Sequence, residues 1–107
     1  MPRETLQGTL DLLILKTLAR GSEHGYGITC CILNASQNQL RVEEGSLYPA
    51  LRRMEAAGLI RAEWRASENN RRARYYEITK TGRKHLADVV ERWHQHTAAV
   101  ATFLDLA

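Results

Sequence analysis

A chain of 107 residues, 44% hydrophobic and 25% charged, has the size and composition of one soluble globular domain, not of a disordered tail. No apolar run approaches the roughly 20 residues that span a bilayer. The N-terminal MPRETLQG lacks the apolar core of a signal peptide, and adjacent Cys30 and Cys31 offer no disulfide framework, so the expected compartment is the cytoplasm.

From Leu6 to Ala19 the pattern reads as a first helix that is apolar nearly all round. Such a helix needs cover on two sides, and in so short a chain the second cover is expected from another subunit. Arg20 to Gly25 reads as punctuation between helices, with Gly21 a natural helix-ending residue. The second helix runs from Tyr26 to Ser36, with Ile28, Cys31, Ile32 and Ala35 inward and Tyr26, Cys30 and Leu33 widening that face. Both cysteines read as small apolar core residues.

Leu47, Leu51 and Met54 recur at i, i+4 and i+7 and share one face of a third helix. Pro49 has no N–H to donate and belongs near the start, so this helix begins near Glu44. Its outward face carries Gly45, Pro49, Arg52 and Ala56, flanked by Ser46, Tyr48 and Arg53. Gly58 suits the left-handed position that ends a helix. A hairpin follows, with strands Leu59–Arg65 and Arg74–Ile78. Ile60, Ala62 and Trp64 alternate with Arg61, Glu63 and Arg65 in the manner of a half-buried strand. Between the strands, Ser67-Glu68-Asn69-Asn70 carries turn chemistry, and Arg71, Arg72 and Arg74 sit on the tip and descending strand.

Thr79 or Thr81 can cap a fourth helix. Leu86, Val90, Trp93, Thr97, Val100 and Leu104 then step by fours and threes, the spacing of a heptad seam. Three heptads make a short seam, so Leu12 and Leu15 of the first helix are expected to support it in a homodimer. The resulting class is α+β and mainly helical: a winged helix–turn–helix over residues 1–78 with a C-terminal dimerisation helix over 79–107.

The net charge of +3 is concentrated in the middle of the chain: residues 41–84 hold eleven basic and six acidic side chains. That concentration points to a polyanionic partner. The wing arginines read either as a solvated loop or as ligands for DNA phosphate, and the adjoining basic helix favours DNA. Arg52 suits a guanine edge, with phosphate contact next and an ordinary exposed charge as the plain reading it shares with Arg53. The hydroxyl of Tyr48 suits a phosphate, against simple packing of its ring. A protein-binding adaptor would instead show apolar residues on the outer face of the third helix. Catalysis is not expected, because the chain has no glycine-rich phosphate loop, His-Glu-x-x-His or serine elbow. No cofactor is expected, and no metal either: His94 and His96, two apart on a helix, point to different sides.

Three stretches, GTLDLLILKTLARGSEHGY, EGSLYPALRRMEAAGLI and RRARYYEITKTGRK, resemble the PadR family of bacterial transcriptional regulators in order and spacing. The resemblance covers residues about 5–95 and looks like the subgroup with a single C-terminal helix. It implies a homodimeric repressor on an inverted-repeat (palindromic) double-stranded operator, relieved in some members by phenolic acids or multidrug-type compounds. By position it implies DNA contacts from Ser46, Tyr48, Pro49 and Arg52 in the recognition helix, and from Arg71, Arg72 and Arg74 in the wing. Lys80 falls near where the wing strand returns. Trp93 reads as a core anchor of the seam or, as in multidrug-responsive members, as a platform for a small aromatic effector. Cys30 and Cys31 stand where relatives often carry charge, and Asn69-Asn70 where glycine is common.

Overall fold

The computed structural model describes residues 2–66 and 68–106, without the side chains of residues 2–7; Ser67 of the expected wing turn lies outside the described residues. Four helices and a small sheet follow in the order α1 (Pro2–Ala19), β1 (Glu23–His24), α2 (Gly25–Ala35), α3 (Glu44–Ala56), β2 (Ile60–Ala66), β3 (Arg72–Ile78) and α4 (Lys80–Leu104). The sheet is antiparallel with strand order β1-β3-β2.

The helix ends have local causes. His24 caps α2, its Nδ1 accepting the Gly27 N–H at 3.0 Å. Gln37 and Asn38 stop it by taking positive φ, and the Asn38 N–H reaches back to the Leu33 carbonyl at 2.8 Å. Gly58, at φ +78°, ends α3 as expected, and the Leu59 N–H returns to the Met54 carbonyl at 3.0 Å. Thr79 then does three things at once. Its hydroxyl accepts the Gly82 N–H at 2.9 Å, capping α4, and donates to the Gly58 carbonyl at 2.7 Å. Its own N–H donates to the Leu59 carbonyl at 3.0 Å. The end of α3, the base of the wing and the start of α4 are thus one hydrogen-bonded junction.

Ile14, Leu15 and Leu18 of α1 lie at the centre of the core, against Ile28 and Ile32 of α2 and Leu47, Leu51 and Met54 of α3. Ile60 and Ile78 close it from the sheet, and Leu86 joins it from α4. Burying each of these large side chains contributes roughly 1.5–3 kcal/mol, so the packing of the three helices holds the domain together. Beyond Val90, α4 leaves the core, and Trp93, Val100, Phe103 and Leu104 are exposed.

The structure departs from the expected elements in several places. Helix α1 begins at Pro2, four residues before Leu6. Tyr26 and Ala35, expected on the inward face of α2, are exposed, because the core meets that helix only along Ile28 and Ile32. Strand β1 falls in the stretch read as punctuation; two residues are too few to show alternation, and they become strand only by pairing with Tyr75 and Tyr76. The second wing strand begins at Arg72, two residues early. Trp64 is 55% exposed, although its alternation with Glu63 and Arg65 marks it as inward.

Gly82 lies where a Cβ would meet the Leu59 carbonyl and the Ile78 side chain. Alanine would gain up to about 1 kcal/mol in helix propensity, but overpacking costs about 1–3 kcal/mol. Gly82→Ala is therefore expected to lower the urea midpoint. An unchanged midpoint would mean that the wing base yields.

Candidate nucleic-acid interface

The pairing register of β2 and β3 sorts the hairpin residues onto two faces. Ile60–Ile78, Ala62–Tyr76, Trp64–Arg74 and Ala66–Arg72 are opposite pairs on one face, and Arg61–Glu77, Glu63–Tyr75 and Arg65–Ala73 share the other. The inner face starts in the core at Ile60 and Ile78. By Trp64 and Arg72 the core has run out, and the same face becomes the wall of an open cleft. On the outer face the arginines are neutralised: Arg61 Nε donates to Glu77 at 2.7 Å, and Arg65 pairs with Glu63 at 3.4 Å and Glu77 at 3.8 Å. Arg65 also lies over the Tyr75 ring.

The cleft, of about 1040 Å³, is bounded by this wall, by the exposed side of α3 and by the start of α2. Tyr48 and Arg52 enter it from α3, Arg71, Arg72 and Arg74 from the wing, and Tyr26 and Cys30 from α2. Tyr48 packs across the start of α2 so closely that its ring fills the place of a Gly25 side chain. Packing and a position beside the cleft are therefore combined in one residue. Ser46 and Pro49 are exposed on the same helix. Tyr76 forms part of the lining; burial, more than its charged and phenolic neighbours, raises its hydroxyl pKa.

Two of the basic candidates are held by carboxylates within the chain. Arg53 turns away from the cleft to Asp11 of α1, Nη2 to Oδ1 at 3.0 Å. Arg74 Nη2 contacts both oxygens of Glu55, at 2.9 and 3.2 Å, bridging β3 to α3. Arg72 instead lies over the Trp64 ring, 5.5 Å from its centroid. Lys80 is exposed at the first position of α4 and does not line the cleft. Site residues that the sequence alone did not single out are Trp64, Tyr26, which is 76% exposed, and the partners Asp11 and Glu55. Cys30 and Cys31 are half-buried free thiols, less enclosed than core residues.

The seam residues divide in the same way. Leu15 and Leu86 are buried in the chain's own core, and so cannot themselves meet a second subunit without opening it. Leu12 is half-buried and borders a recess of about 350 Å³ between α1 and α4, together with Val89, His85, Arg92 and Trp93. Val90 is half-buried against the core, whereas Trp93, Val100 and Leu104 are exposed along α4.

A helical trio with α3 presented beside a two-stranded wing and a long following helix defines a winged helix–turn–helix protein. The transcriptional regulator PadR-like family model matches residues 14–88, and the chain belongs to that family. It is 36% identical over 86 residues to the transcriptional regulator Rv3488 of Mycobacterium tuberculosis, covering 80% of this chain and 77% of that one. Among solved structures, a transcriptional regulator from Clostridium thermocellum superposes with a TM-score of 0.85 at 28% identity, covering 95% of this chain and 96% of the other. A PadR-like transcriptional regulator from Bacillus cereus gives 0.81 at 28% identity, covering 97% and 99%. PadR-like regulators bind DNA and are not enzymes.

Burial raises the Asp11 pKa above its ordinary 3.8, against the opposing pull of Arg53 and then His85. A carboxyl with a raised folded-state pKa contributes stability below its unfolded pKa and loses it as pH rises through the folded value. At neutral pH the ionised Asp11 therefore opposes folding despite its ion pair. Asp11→Asn is expected to keep or raise the thermal midpoint at pH 7, with a smaller advantage at pH 3. A lower midpoint at pH 7 would show that pairing with Arg53 outweighs desolvation.

Proposed function

We propose that this regulator is a homodimeric repressor that places α3 in the major groove of each half of an inverted-repeat operator. The observation that carries the reading is the cleft, in which Arg52 of α3 and Arg71 and Arg72 of the wing face one space. Arg52 is the candidate base reader, since its planar fork matches the O6 and N7 of guanine. Arg71, Arg72 and the Tyr48 hydroxyl are assigned to backbone phosphate, with Ser46, Pro49 and Lys80 at the margin of the footprint. Among the described residues of α3, Tyr48 is the one exposed large hydrophobic, beside Arg52 and Arg53, which disfavours a protein-binding adaptor.

Residues 1–78 supply the DNA-binding unit on this reading, and residues 79–107 the dimerisation helix. The exposed stripe of Trp93, Val100, Phe103 and Leu104 supports that assignment, because a helix face so apolar is ordinarily covered. Trp93, which is 39% exposed and borders the recess between α1 and α4, is the candidate platform for a small aromatic effector that relieves repression.

The test is selection of duplexes from a random pool, followed by titration of the winner and a scrambled control at two salt concentrations. An enriched inverted repeat bound well above the control supports the reading; no enrichment at either salt rejects it. On the selected duplex, Arg52→Ala is expected to cost roughly 1–3 kcal/mol per half-site and to relax preference at one base position. A loss equal for all bases would reassign Arg52 to phosphate. Trp93→Asp is expected to give monomers by sedimentation, and a surviving dimer would remove the α4 stripe from the interface.

A further inference from the structure

Arg72 and Arg74 are two residues apart on the same face of β3, yet they are held in opposite ways. Arg74 is engaged by both oxygens of Glu55. Arg72 has no carboxylate within ion-pairing distance among the described residues, and its guanidinium lies over the Trp64 indole. A carboxylate neutralises an arginine and occupies its N–H groups. An aromatic face holds the cation by its quadrupole and leaves the N–H fork unused.

Trp64 is a costly residue to leave on a wing. It is 55% exposed on a strand whose inner face has already left the core, and its ring lines the cleft together with Arg72. We infer that Trp64 is a positioning residue for DNA binding: its indole fixes the Arg72 guanidinium over the cleft, ready for a phosphate. Arg74 is by contrast a strut that ties the wing to α3 through Glu55. This assignment rests on the DNA-binding reading above.

The effect of removing an uncharged residue on the salt dependence of binding tests it. Each phosphate contact contributes about 0.9 to the slope of log affinity against log salt. Wild type, Trp64→Ala, Trp64→Phe, Arg72→Ala and the Trp64→Ala/Arg72→Ala double variant would be titrated across a salt series. The probe is the duplex that the wild type selects from a random pool, and circular dichroism checks that each variant is folded. The expected result is that Trp64→Ala lowers the slope by about 0.9 per bound subunit without removing a charge. Arg72→Ala matches it, the double variant goes no further, and Trp64→Phe, which keeps an aromatic face, restores most of the slope.

Reduced affinity at an unchanged slope would overturn the proposal, because Trp64 would then act by touching DNA itself. Unchanged affinity and slope would also overturn it, because Arg72 would then find its place unaided. Failure of the wild type to bind any selected duplex would instead reject the DNA-binding reading, and the proposal with it.

Discussion

The register between β2 and β3 governs most of what this molecule presents to its surroundings. Side chains on a strand alternate with period two, so a slip of one residue would turn one strand over relative to the other. Either Ile60 would leave the core for Arg61, or Ile78 for Glu77, and a charge would be buried opposite an isoleucine. The cost of that exchange locks the register at the base of the hairpin. The same lock then reaches outward, past the last buried pair, to decide which arginines face the cleft. Hydrophobic burial thus sets the direction of charged groups that it never touches.

Charge itself plays a subordinate part in holding the fold. The Arg53–Asp11 and Arg74–Glu55 pairs are partly exposed, where an ion pair is worth roughly 0–1 kcal/mol. Leu47, Leu51 and Met54 hold α3 far more firmly. What the pairs change is the inventory of cations left for a polyanion. Of the basic residues counted in the middle of the chain, Arg53, Arg61, Arg65 and Arg74 already face carboxylates. The bare excess of positive charge in that stretch therefore overstates how many side chains stand ready for phosphate.

Much of the architecture was legible because short-range chemistry dictated it. The spacing of Leu47, Leu51 and Met54 and the left-handed Gly58 each specify local geometry that tertiary packing had no reason to override; the cap of α4 was narrowed to Thr79 or Thr81, and Thr79 holds it. The candidate site was legible in outline only. Alternation identified the face on which Trp64 lies but not the depth of the core beneath it, so an inward residue emerged exposed. Arg53 and Arg74 were read from sequence neighbours, whereas their partners Asp11 and Glu55 lie 42 and 19 residues away along the chain. Leu15 was expected to support the seam, but α1 is apolar on several sides, and pattern alone does not say which side the chain's own core takes. For β1, the signal exists only in the pairing with β3.

The junction at Thr79 has a mechanical consequence. Helix α4, about 37 Å long at 1.5 Å per residue, is rooted in the wing base by the Thr79 hydrogen bonds and by the seating of Gly82 on the Leu59 carbonyl. A helix so rooted cannot swivel on its own. It is a lever whose short end is the wing hairpin, so a tilt imposed far out near Val100 or Leu104 is transmitted through a stiff rod to the strands that carry Arg72 and Arg74. On this geometry, a change in the angle of the long helix would carry the wing with it.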